Sequence, residues 1–220
     1  MPLLTFQSLF SARSFAAALV LAVCTFASLN PGHAAEKSIL ALGDSLTAGF
    51  GLNGSDSFPS RLQMALRGAG HKVRVINGGV SGDTTAGGLA RLNWLMQENP
   101  ALVIVELGAN DALRGQPPAG TRRNLDKIIR GIKESGAKVV LAGMLAPPNM
   151  GKAYAAEFNP IFPDLARIHN VPLYGFFLDG VIQKPALLLP DGLHPNAAGV
   201  AVIVERILPL ILQTLAEEQK

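Results

Sequence analysis

Ile39-Leu40-Ala41-Leu42-Gly43-Asp44-Ser45-Leu46 is the stretch that decides how this chain folds. Four apolar residues without polar alternation describe a strand covered on both faces, and Gly43-Asp44 then turns the chain away from it. Similar short apolar runs recur at residues 73–76, 102–106, 139–142 and 171–174. Helical spacing lies between and after them. Leu125, Ile128, Ile129 and Ile132 follow i, i+3, i+4, i+7, and Ala201, Val204, Leu208, Ile211 and Leu215 trace a second stripe. Gly70, Gly136 and Asn170 fall near expected helix ends, where a left-handed cap is useful. Five strands alternating with helices imply an α/β domain with a parallel sheet and helices on both faces. Pro209 should interrupt and kink the last helix. Residues 198–212 are apolar enough to suggest a membrane span, but Glu205 and Arg206 in the middle favour a packed amphipathic helix.

The first 34 residues read as a signal peptide rather than as part of the fold. Arg13 supplies the positive end, residues 15–29 are apolar, and Gly32 and Ala34 are small where a signal peptidase reads. The apolar run is too short to span a bilayer, so the mature chain should have no stable membrane span. Removal takes away Arg13 and no acid, so the formal charge of +3 falls by one to +2. No cluster of Lys and Arg supports a nucleic-acid partner. Cys24, the only cysteine, leaves with the signal, which excludes a disulfide or a Cys metal site in what remains. Residues 35–220 are enough for one ordinary core, so a single domain is expected, periplasmic or secreted and monomeric.

Ligands of an open α/β sheet bind beyond the carboxyl ends of its strands. Three glycine-rich turns fall there: Gly43-Asp44-Ser45, residues 77–83 (NGGVSGD), and Gly108-Ala109-Asn110-Asp111. Ser45 is either a nucleophile or a helix cap, and Asp44 can cap in its place. Gly79 either offers a backbone N–H to a developing oxyanion or merely allows a tight turn. Asn110 is either a second donor or a loop cap. Asp191 stands three residues before His194, so one loop can hold an imidazole and the carboxylate that orients it. His71 and His169 read as surface residues. The G-x-S-x-G elbow is absent because Thr47 takes its second glycine position, and no P-loop, dinucleotide fingerprint or H-E-x-x-H is present. No metal is expected.

Four blocks in order, Gly43-Asp44-Ser45-Leu46, Gly79, Gly108-x-Asn110-Asp111 and Asp191-x-x-His194, resemble the SGNH or GDSL hydrolase family over essentially the whole chain after the signal. The resemblance implies a three-layer α/β/α sandwich, a flavodoxin-like five-stranded parallel sheet of order 2-1-3-4-5, and no cofactor. It implies Ser45 as nucleophile, His194 as base and Asp191 as its orienter. The oxyanion donors would be the N–H of Ser45, the N–H of Gly79 and the side chain of Asn110. The wording ALGDSLTAGFGL, ELGANDALRG and DGLHPNAAG is most similar to the periplasmic thioesterase/lysophospholipase/arylesterase group. Ala109 stands where that pattern has glycine, which removes no donor. The expected reaction is hydrolysis of acyl esters and thioesters, including lysophospholipids, with Leu113 and Arg114 in the substrate wall. Two alternatives stay open: a carbohydrate O-acetyl esterase of the same family, and a non-enzymatic flavodoxin-like binding protein.

Overall fold

The computed structural model describes residues 36–217, which fall within one compact unit, Ala34–Lys220. The expected signal at 1–34, with Cys24, lies outside the described residues. Strand β1 (Lys37–Gly43) passes through a single helical turn, α1 (Ser45–Ala48), into α2 (Phe58–Gly68) and β2 (Val73–Gly79). Helix α3 (Thr85–Leu95) leads to β3 (Leu102–Glu106), and α4 (Ala109–Leu113) with α5 (Pro118–Glu134) leads to β4 (Lys138–Ala142). Helices α6 (Gly151–Phe158) and α7 (Ile161–His169) precede β5 (Leu173–Tyr174), and α8 (Ala197–Ala216) follows the last long loop.

The strands are all parallel, in the order β2-β1-β3-β4-β5. That is the expected order, and it explains the layers. Parallel crossovers are right-handed. The chain steps from β1 outward to β2, then turns back across β1 and proceeds to β3, β4 and β5. Crossovers in opposite directions must lie on opposite faces. Accordingly α2 packs with α8 on one face, and α3, α5 and α7 pack together on the other. The reversal point lies between β1 and β3, so the ligand crevice of such a sheet opens beyond Gly43 and Glu106.

Ile39, Leu40 and Leu42 of β1 and Leu102, Val103, Ile104 and Val105 of β3 are completely buried, as strands inside a doubly covered sheet must be. On α5 the stripe Leu125, Ile128, Ile129 and Ile132 is buried without remainder. Each such side chain contributes about 1.5–3 kcal/mol on leaving water. The edges depart from the expectation. Strand β2 exposes Arg74 and Asn77 because it has a neighbour on one side only, and β5 is reduced to two residues after Pro172, which has no N–H for a ladder.

Helix α8 turns a different face to the core than the sequence stripe suggests. Val200, Ile203, Val204, Ile207 and Ile211 are buried, whereas Ala201 is exposed. The helix runs on through Pro209. Pro209 and Glu205 are both exposed, so water can take the carbonyl that loses its partner. By length and composition α8 is the one candidate span among the described residues. It instead lays its apolar face against α2 and β4, with Glu205 and Arg206 outward. His169 is also corrected: it is buried at the end of α7, with Nε2 2.7 Å from Asp126 Oδ1.

Candidate active site

The pairing of β1 with its two neighbours brings three strand ends to one level, since Gly43 lies opposite both Gly79 and Glu106. The three loops therefore start side by side. At the end of β1 the Asp44 carboxylate caps α1, with Oδ1 accepting from the Leu46 N–H at 3.0 Å. Capping thus falls to Asp44 and leaves the Ser45 hydroxyl free. The sequence had left that choice open.

The Ser45 hydroxyl meets His194. Its Oγ lies 2.9 Å from Nε2, and Nδ1 of the same ring lies 2.7 Å from Asp191 Oδ2. The other Asp191 oxygen, Oδ1, accepts from the backbone N–H groups of Leu193 at 2.9 Å and His194 at 3.0 Å. Hydrogen bonds from the His194 and Leu193 N–H groups, then from the imidazole, hold the Asp191 carboxyl down to about 2. It is ionised throughout the working range. The loop carrying this pair is closed on itself. Leu188 bridges Pro195, and the Leu189 N–H donates to the His194 carbonyl at 2.8 Å. Asn196 then caps α8, accepting from Ala198 and Gly199 at 3.0 Å each. Gly199 permits the closure, because a Cβ there would lie 2.2 Å from the Leu187 carbonyl oxygen.

Asn110 is the second residue of α4, entered through Gly108 at φ +118. Its Nδ2 donates to Asp44 Oδ2 at 3.0 Å. That uses one of its two amide hydrogens and leaves the second for a ligand. Asp111 beside it is buried and accepts from the Thr85 N–H (2.8 Å), the Thr85 hydroxyl (2.5 Å) and the Thr121 hydroxyl (3.1 Å), which joins α3, α4 and α5 under the site.

Gly79 is placed otherwise than expected. Its N–H donates to Asn77 Oδ1 at 3.0 Å and is not available to a ligand as it stands. What requires glycine there is packing: a Cβ would lie 2.2 Å from the Ala48 nitrogen. Directly after it, Val80 to Asp83 make a turn with the Asp83 N–H on the Val80 carbonyl at 3.0 Å and Gly82, three residues beyond Gly79, at φ +80. A positive φ at the third position of such a turn favours glycine. The N–H of Gly82 has no partner among the described residues. Arg114 Nη2 donates to the Gly82 carbonyl at 2.7 Å, so Arg114 joins the two loops, while Leu113 stands half exposed beside it.

Three contributors escaped the sequence reading. Arg91 on α3 reaches Asp83 Oδ2 (2.7 Å), the Gly78 carbonyl (2.6 Å) and the Gly43 carbonyl (2.9 Å), tying the ends of β1 and β2 together. The Phe50 ring lies 4.5 Å from the His194 ring. Glu106 is fully buried beneath Asp44. A charge closing an otherwise apolar strand was the signal for Glu106; a lone arginine in a helix and a lone phenylalanine in a turn gave none.

These residues fall within the span that the comparisons with known proteins match. Residues 41–202 match the GDSL-like lipase/acylhydrolase family. An arylesterase of Vibrio mimicus is 45% identical over 197 residues, spanning 89% of this chain and 98% of that protein. The thioesterase 1/protease 1/lysophospholipase L1 of Escherichia coli K12 is 41% identical over 164 residues, or 74% of this chain and 77% of that one. The crystal structure of TesA is similar at a TM-score of 0.77 and 39% identity, covering 81% of this chain and 99% of the other. With the fold and most of its length in agreement, the chain belongs to the GDSL-like lipase/acylhydrolase family, the SGNH hydrolases.

Proposed function

We propose that the chain hydrolyses acyl esters and thioesters through an acyl-enzyme on Ser45. Membership of the family makes it a carboxylic ester hydrolase; the observation that supports giving the step to these residues is the unbroken relay Ser45 Oγ, His194 Nε2, His194 Nδ1, Asp191 Oδ2 at 2.9 and 2.7 Å. His194 Nε2 takes the Ser45 proton as Oγ bonds to the acyl carbon. The former carbonyl oxygen becomes an oxyanion. It is received by the N–H of Ser45, the free N–H of Asn110 Nδ2, and a third donor from the 79–82 loop. Gly82 fills that third role in preference to Gly79, whose N–H is already committed to Asn77. His194 then protonates the leaving alcohol or thiol. In the second half it takes a proton from water, the resulting hydroxide attacks the acyl carbon, and the acid leaves as Ser45 recovers its proton. Asp191, ionised throughout, holds Nδ1 and stabilises the imidazolium in both halves.

Substrates with fatty or aromatic parts fit the rim. Phe50, Val80, Leu113, Leu145 and Leu193 are exposed apolar residues, and each lies on a segment that follows a strand end or adjoins His194. Leu113 and Arg114 would line the acyl or leaving-group side. The names arylesterase and lysophospholipase carried by the relatives agree with this chemistry. A carbohydrate groove lined by aromatic rings has less support. Trp94, the only tryptophan, lies at the end of α3 remote from the carboxyl edge of the sheet.

The assignment is tested with Ser45→Ala and a serine-reactive phosphonate, scanning aryl esters and acyl thioesters of increasing chain length. The parent should turn over and become labelled at Ser45, and the variant should do neither while keeping its fold. Hydrolysis that survives in a clean Ser45→Ala preparation would remove Ser45 from the mechanism.

A further inference from the structure

Beneath the nucleophile turn lies a carboxyl group that the reaction as written does not use. Glu106 ends β3 directly opposite Gly43 and is completely buried. Its Oε2 accepts from the Thr47 hydroxyl at 2.7 Å and from the Asp44 N–H at 3.2 Å. Its Oε1 is buried and has no hydrogen-bond partner among the described residues. Asp44, also completely buried, stands between Glu106 and the oxyanion side chain, because its Oδ2 holds Asn110 Nδ2. The surroundings are cut to fit this group. A Cβ on Gly43 would lie 2.1 Å from the Thr47 hydroxyl and 2.5 Å from Glu106 Oε2. Gly43 is therefore glycine because the Glu106 carboxyl and Thr47 fill that space. An apolar residue at 106 would leave the Asp44 N–H and the Thr47 hydroxyl unpaired in the core.

We propose that Glu106 is a positioning residue for the oxyanion donor: its carboxyl clamps the Asp44 N–H and the Thr47 hydroxyl, and through Asp44 fixes the amide of Asn110. This rests on Asn110 receiving the oxyanion, as proposed above. The charged and polar groups around the pair are few. Asp44 and Thr47 face it from the nucleophile turn, and Asn110 approaches from α4. His194 acts on Asp44 from the last loop, and Arg91 reaches the Gly43 carbonyl from α3. Burial first, and the Asp44 carboxylate second, push the Glu106 carboxyl well above its ordinary range. The same burial favours the protonated form, and in either form Oε2 can serve Thr47 and Asp44 as an acceptor.

The prediction separates clamping from charge and from mere packing. Glu106→Leu, similar in bulk but without an acceptor, should lower kcat by about 10- to 100-fold with KM within about threefold, bounded by what loss of a whole oxyanion donor removes. Glu106→Gln keeps an acceptor oxygen and no charge. It should recover kcat to at least about a third of the parent, with a superimposable pH–rate profile. Glu106→Leu combined with Asn110→Ala should lose little beyond Asn110→Ala alone, since both act through one amide. If Glu106→Leu does not fold, Thr47→Val removes one arm of the clamp at nearly constant volume and should show the same kcat loss and the same non-additivity. The proposal is overturned if a folded Glu106→Leu (or Thr47→Val) melts lower yet turns over normally, if the losses multiply with Asn110→Ala, or if Glu106→Gln falls as far as Glu106→Leu. Failure of the underlying reading has a different signature, because Asn110→Ala alone would then turn over normally.

Discussion

Asp44 shows how one side chain serves structure and chemistry at once. It caps α1 so that Ser45 need not, and it holds the amide of Asn110. Burial pushes its carboxyl up to about 6, against the lowering influence of the Leu46 N–H, the Asn110 amide and the His194 charge. In the unfolded chain the group titrates near its ordinary 3.8. Between those values the folded state keeps a proton that the unfolded state has lost. The stability tied to neutral Asp44 is thus complete below the unfolded value and lost as pH rises through the folded one. Asp44→Asn cannot undergo that loss, although it gives up an acceptor at every pH. Its Tm relative to the parent should therefore climb between pH 4 and pH 7. A difference that stays constant across this window would mean that the Asp44 carboxylate is not strained by its burial.

Ser45, His194 and Asp191, which the structure brings together, were legible because each sits in a short block whose residue types have few alternative uses. The proposed third oxyanion donor was not. Gly78, Gly79 and Gly82 lie within five residues, and spacing alone does not reveal that Asn77 takes the N–H of Gly79. That choice is made by the Asn77 side chain, which accepts from the N–H two residues ahead on its own strand.

Among the elements, the most legible were those whose burial is complete. The 102–106 run became β3 without change, and the four-residue stripe on α5 became its core face. Legibility fell wherever an element has one covered side. The β2 and β5 boundaries are set by neighbours rather than by propensity. On α8 apolar residues occur on more than one face, so more than one stripe could be drawn from the sequence and the buried face is the one that meets α2 and β4. His169 was misread because a histidine in a polar turn gives no sign of the Asp126 waiting on α5. The α5 stripe offers a control that separates scaffold from site. Ile128→Ala removes fully buried methylene and methyl groups far in function from Ser45. It should destabilise the chain by about 2–5 kcal/mol in denaturant titration while leaving kcat/KM of the folded protein within about twofold. A large kinetic defect at unchanged stability would show that α5 tunes the site directly.

At the scale of the whole molecule, the described residues, 36–217, fall within one compact unit. We propose export to the periplasm with cleavage after Ala34, motivated by Arg13, the apolar run at 15–29 and the small residues at 32 and 34. Intact mass of the exported protein should correspond to residues 35–220. A species that retains the apolar run would contradict this. The released chain carries a formal charge near +2 and no cysteine, so it neither depends on an oxidising compartment for cross-links nor is drawn strongly to polyanions.

The loop that carries Asp191 and His194 has one more consequence. Acid and base are three residues apart and tied by side-chain and backbone bonds within the same turn, whereas base and nucleophile are 149 positions apart and meet only across the folded sheet. The machinery is thus a local cassette docked against a distant partner. The long-range joint of the proposed relay is therefore the Ser45–His194 contact, and parting that seam would separate base from nucleophile while Asp191 and His194 stay paired within their own turn.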